Sequence, residues 1–87
     1  MKNRMKALYF WANWDGEFYK KLNNFINEAK RNRIHYETID VETKDGVAAS
    51  IKYGVRNVPT IVILDDAKVI KVLKGNSAYK EMVEYFK

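Results

Sequence analysis

Phe10-Trp11-Ala12-Asn13-Trp14-Asp15-Gly16 decides the reading of the fold, because a strand ends in it and a helix begins just beyond it. Upstream, Lys6-Ala7-Leu8-Tyr9-Phe10-Trp11-Ala12 is a short apolar and aromatic run of the kind found in a strand covered on both faces. It reads as the central strand of a sheet. Downstream, Phe18, Leu22, Phe25, Ile26 and Ala29 recur at helical spacing, which predicts a helix over about 16–32, one apolar stripe packed on that sheet.

The remaining elements follow from the same kind of pattern. Ile34 to Val41 is strand-like, and Asp40 leads into Thr43, a helix-capping residue. Val47, Ala48 and Ile51 are expected to form the inner face of a short helix that Gly54 ends as a left-handed terminator. Thr60-Ile61-Val62-Ile63-Leu64 predicts a buried strand, Asp65-Asp66-Ala67 a reversal, and Lys68 to Lys74 a returning strand whose spaced lysines suit an exposed edge. Gly75-Asn76-Ser77 is expected to close the hairpin and cap a last helix with Ala78, Met82, Val83 and Phe86 on one face. The order βαβαββα needs a right-handed parallel crossover followed by a hairpin, so an α/β fold with a four-stranded mixed sheet flanked by helices is the economical solution.

With 87 residues and no internal linker or repeat, the chain reads as a single domain spanning 1–87. The basic start Met1-Lys2-Asn3-Arg4-Met5-Lys6 precedes an apolar run too short for a signal peptide or a membrane span, so a cytoplasmic location is expected. The absence of cysteine excludes disulfides, thiolate metal sites and thiol nucleophiles. His35 has no second ligand or triad partner at useful spacing, and Asp40, Asp45, Asp65 and Asp66 form no calcium loop or paired-carboxylate pattern. No metal and no cofactor is therefore expected. A net charge of +5 favours acidic partners, but basic and acidic residues are interleaved without an aromatic-plus-basic nucleic-acid motif.

A Trp-Ala-x-Trp-x-Gly sequence at a strand-to-helix junction, followed by Lys52-Tyr53-Gly54-Val55-Arg56-Asn57-Val58-Pro59-Thr60 before the next strand, resembles the thioredoxin family. The resemblance runs from about Leu8 to Phe86 and implies a minimal thioredoxin-like core without the first strand and helix of full-length members. Members carry Trp-Cys-Gly-Pro-Cys where this chain has Trp14-Asp15-Gly16-Glu17-Phe18, so Asp15 and Phe18 occupy the two redox-cysteine positions. Asp15 has a structural account as the helix N-cap, accepting from the amides of Glu17 or Phe18, and Phe18 as a core residue. The family's buried proton-transfer aspartate falls at Tyr9, and its lysine neighbour near Tyr36. The proton machinery is missing together with the thiols.

What the resemblance leaves is a recognition surface. It implies a cis peptide before Pro59 and a Val58 backbone open to strand-like pairing with an extended peptide. Trp14, Asp15, Gly16, Val58, Pro59, Gly75 and Asn76 are then expected to ring a shallow apolar groove, with Trp14 the exposed contact residue and Trp11 in the core. The function expected is a redox-inactive protein-binding module that docks on a protein or extended peptide and not on a membrane; the sequence does not set its oligomeric state, a monomer being the default. The alternatives are a family redox protein by descent only, without disulfide reductase activity, and an accessory protein binding nucleic acid through its basic surface.

Overall fold

A computed structural model describes residues 4–87; Met1, Lys2 and Asn3, the start of the basic stretch, lie outside the described residues. The elements follow as β1 Met5–Trp11, α1 Phe18–Arg31, β2 His35–Asp40, α2 Lys44–Tyr53, β3 Thr60–Asp65, β4 Lys68–Lys74 and α3 Ala78–Phe86. This is the βαβαββα order expected, and the strands form one mixed sheet in the order β2-β1-β3-β4. β1 runs parallel to β2 and antiparallel to β3, and β3 pairs antiparallel with β4. Among the described residues no helix is long and apolar enough to cross a membrane.

The alternation of side chains along β1 and β3 divides the core into two layers. Ala7, Tyr9, Ile61 and Ile63 face α1 and α3, where they meet Phe25, Ala29, Met82 and Phe86. Leu8, Phe10, Val62 and Leu64 face the opposite way and pack under α2. An interior strand covered on both sides has no room for a polar alternate residue, which is why its sequence reads as an unbroken apolar run. The expected lysine-bearing edge is β4, with Lys68, Lys71 and Lys74 exposed.

The inner face of α2 differs from the expectation. Val47, Ala48 and Ile51 are exposed, and the helix meets the core through Ala49 and Tyr53, with Gly46 buried against the end of β2. Asp40 and Thr43 explain the close approach. The Thr43 hydroxyl donates to the Asp40 carbonyl oxygen at 2.9 Å and accepts from the Gly46 amide at 2.9 Å, tying strand end and helix start together. Replacing it (Thr43→Ala) is expected to lower the unfolding free energy by about 1 kcal/mol, read as a shift of the urea midpoint at constant slope. Gly54 terminates α2 at φ 68°, as expected for a left-handed cap. Ser77 does stand at the N-cap of α3, but its hydroxyl makes no capping bond and instead reaches the Glu81 carboxylate at 3.4 Å.

Candidate functional site

The site forms where β1 ends, α2 passes and the loop into β3 returns. The chain leaves β1 through two successive turns, with the Asp15 amide donating to the Ala12 carbonyl at 3.2 Å and the Phe18 amide donating to the Asp15 carbonyl at 3.1 Å. Glu17 then takes φ 61°, ψ 29°, and α1 begins at Phe18. This geometry corrects the reading of Asp15 as the helix cap. The backbone carbonyl of Asp15 receives the Phe18 amide, and its carboxylate turns to Lys21 Nζ at 2.8 Å, an ion pair with side chains 18% and 20% exposed.

Glu17 is the strained point of this loop. A left-handed backbone costs a non-glycine residue roughly 1–2 kcal/mol. Proline, which the family resemblance places here, holds φ near about −65° and could not adopt this conformation. The departure from the redox motif is therefore in the backbone as well as in the side chains. Glu17→Gly is expected to raise the thermal midpoint by about 4 °C, corresponding to a gain of about 1 kcal/mol, checked by calorimetry.

The second former cysteine position, Phe18, is half-buried. Its ring stacks on Trp11 with centroids 5.3 Å apart and on Tyr19 at 4.3 Å. Trp11 is likewise half-buried, packed against the margin of the core cluster. Beneath this loop Tyr9 stacks on Phe25 at 4.5 Å, and Tyr36 meets the same Phe25 ring edge-on at 5.6 Å. The two positions that carry aspartate and lysine in the resembled family have thus become an aromatic stack around Phe25. Burial, and secondarily the Asp15 carboxylate, push the Tyr9 hydroxyl up to about 12 from its usual 10.0.

A groove of about 730 Å³ opens beside the loop. Trp14, Asp15 and Gly16 form one wall, Val47, Ser50 and Ile51 of α2 another, and Val55, Arg56, Asn57 and Val58 the third. Its apolar side chains stand open to solvent: Trp14 is 65% exposed, Ile51 76% and Val47 48%. The Val58–Pro59 peptide is cis. Among the described residues neither the N–H nor the C=O of Val58 has a hydrogen-bond partner, whereas Asn57 C=O is taken by the Thr60 hydroxyl at 2.6 Å.

Of the expected site residues, Trp14, Asp15, Gly16 and Val58 come together on this groove, and Pro59, Gly75 and Asn76 are not on its walls. Pro59 is buried behind Val58, and its carbonyl accepts from the Gly75 amide at 3.0 Å. Val47, Ile51, Val55 and Arg56 were absent from the expected set. Val47 and Ile51, expected to face inward, are turned outward by the Gly46 contact, which makes the α2 wall apolar. Among the described residues there is no group of three or more acidic or imidazole side chains that could hold a metal ion.

Comparison with known proteins agrees with this geometry. The family model described as Thioredoxin matches residues 1–87. The chain is 26% identical to a thioredoxin from Fasciola hepatica, with TM-score 0.82, covering 99% of this chain and 84% of that one. It is 28% identical to thioredoxin 1 from Thermosipho africanus, with TM-score 0.75 and coverage of 91% and 86%. A mutant thioredoxin from Halobacterium salinarum NRC-1 matches with 26% identity, TM-score 0.78 and coverage of 97% and 75%. No curated protein matches the chain. The whole-length family match, the βαβαββα order and the mixed four-stranded sheet together establish that the chain belongs to the thioredoxin family, as a member with no cysteine.

Proposed function

We propose that this chain is a redox-inactive thioredoxin-family module that acts by docking on a protein partner through the groove between Trp14, α2 and Val58. Thiol–disulfide exchange begins with attack by a thiolate, and the sequence supplies none. Dithiothreitol-driven insulin reduction is expected to run at the rate of buffer alone in its presence.

The observation that carries the docking reading is the concentration of exposed Trp14, Val47 and Ile51 on one groove whose third wall has, among the described residues, an unpaired backbone amide and carbonyl at Val58. A contiguous exposed apolar surface with a polar rim is the usual character of an interaction site. An extended segment could pair with the Val58 backbone and set alternate side chains against the apolar walls. Tyr9 stacked on Phe25 makes the layer beneath the loop aromatic packing, which supports reading the site as a recognition surface.

The test uses tagged wild type and a Trp14→Ala, Val58→Asp variant whose circular dichroism matches wild type. A protein captured from lysate by wild type alone is identified by mass spectrometry, purified and titrated against both. Binding by wild type that weakens on the order of tenfold or more in the variant is expected. Equal affinity for both would move the interaction away from the groove, to the basic faces of α1 and β4.

A further inference from the structure

Among the described residues the charges of the groove are not balanced. Its walls carry two ionisable side chains, Asp15 and Arg56. The Asp15 carboxylate is already engaged by Lys21 Nζ at 2.8 Å, with both side chains mostly covered. Arg56 is exposed and, among the described residues, has no ion pair or hydrogen bond. The groove thus offers one uncompensated guanidinium and the Val58 amide beside Trp14, Val47, Ile51 and Val55. The planar fork of an arginine fits a carboxylate with two parallel hydrogen bonds.

Resting on the docking reading above, we infer that the occupant is an extended peptide segment with an aspartate or glutamate among aromatic or aliphatic residues, its carboxylate pairing with Arg56. A nucleic-acid backbone would present phosphates to the same guanidinium, but it is held by a row of cations tracking successive phosphates. Among the described residues Arg56 is the only uncompensated cation on these walls. The surrounding apolar area and the free Val58 backbone suit a peptide better.

The probe is a displayed library of random decapeptides, selected in parallel on wild type, Arg56→Glu, Arg56→Lys and the Trp14→Ala, Val58→Asp variant. Peptides enriched on wild type but not on the groove variant are expected to contain Asp or Glu beside aromatic or aliphatic residues. A synthetic selected peptide is expected to bind Arg56→Glu about tenfold or more weakly and to bind Arg56→Lys with an intermediate loss, since lysine keeps the charge but not the two-pronged geometry. Changing its acid to the corresponding amide should cause a similar loss in wild type and little further loss in Arg56→Glu. Groove-dependent peptides with no acid bias, or with affinity indifferent to Arg56→Glu, would overturn the inference while leaving the docking reading intact. If no peptide depends on the groove, both fall. If instead a fluorescein-labelled dT20 binds saturably at the groove and loses binding in Arg56→Glu, the occupant is nucleic acid and the inference is wrong.

Discussion

Gly46→Ala is expected to lower the thermal midpoint by about 12 °C or more, since of the four glycines it alone has no space for a methyl group. A Cβ at position 46 would overlap the Asp40 carbonyl oxygen and sit 2.8 Å from the Asp40 carbonyl carbon and 2.9 Å from Thr43 Oγ. The first two obstacles are backbone at the end of β2, and the third is the hydroxyl that caps α2, so no flexible side chain can swing aside. Relief requires α2 to lift from β2, which strains the Thr43 cap and the packing of Ala49 and Tyr53 on Leu8 and Phe10. Overpacking of this kind costs about 3 kcal/mol. The same displacement carries Val47 and Ile51, so partner binding should weaken in molecules that remain folded. Scanning calorimetry decides the point, and a drop of under about 3 °C would show that α2 rides loosely on the sheet.

Above pH 10 the protein is expected to lose stability more steeply than Tyr9→Phe does. Tyr9 is 3% exposed, and burial followed by the Asp15 charge raises its hydroxyl to about 12 against 10.0 when unfolded. Below pH 10 the hydroxyl is protonated in both states, and the contribution is fully present. As pH rises from 10 to about 12, the unfolded chain releases this proton first, so it binds fewer protons than the native state and stability falls with pH. The loss reaches on the order of 2 kcal/mol by the upper end of that window. Urea unfolding at half-unit steps measures it. Wild type and Tyr9→Phe should diverge in slope across this range, and parallel curves would mean that the Tyr9 hydroxyl is solvated in the native state. The ultraviolet difference between the two proteins titrated with base reports the same group directly.

The sheet was legible because its strands carry a one-dimensional signal. Ala7 to Ala12 and Ile61 to Leu64 are apolar without interruption, the form taken by interior strands with both faces covered. The stripe Phe18, Leu22, Phe25, Ile26 and Ala29 placed α1 in the same way. α2 was misread in its orientation because hydrophobicity points to Val47 and Ile51 whereas proximity selects for small size. A helix drawn onto β2 by the Thr43–Asp40 hydrogen bond makes contact through Gly46, and a glycine is invisible to an apolar count. The signal that could have found it is Gly three residues after a threonine cap, with Ala49 and Tyr53 at helical spacing from it.

The loop at Asp15 was misread for a different reason. Aspartate before a helix is an N-cap by frequency, but the left-handed Glu17 shifts the helix start to Phe18 and gives the Asp15 carboxylate to Lys21. Glutamate has no preference for that conformation, so nothing in its identity announces it. The groove was consequently half visible. Trp14 and Val58 were found from the family pattern, while Val47, Ile51, Val55 and Arg56 depend on how α2 is turned, which only the packing reveals.

The most direct test of the docking account is a nitrogen-15 correlation spectrum of the wild-type protein titrated with a selected groove-dependent peptide. The account predicts shifts concentrated at Trp14, Asp15, Gly16, Val47, Ile51, Val55, Arg56 and Val58, with the Trp14 indole signal among the largest and the Val58 amide moving as it gains a hydrogen bond. Shifts confined to the exposed lysine-bearing β4 edge or the outer face of α1, with Trp14 and Val58 unmoved, would contradict it.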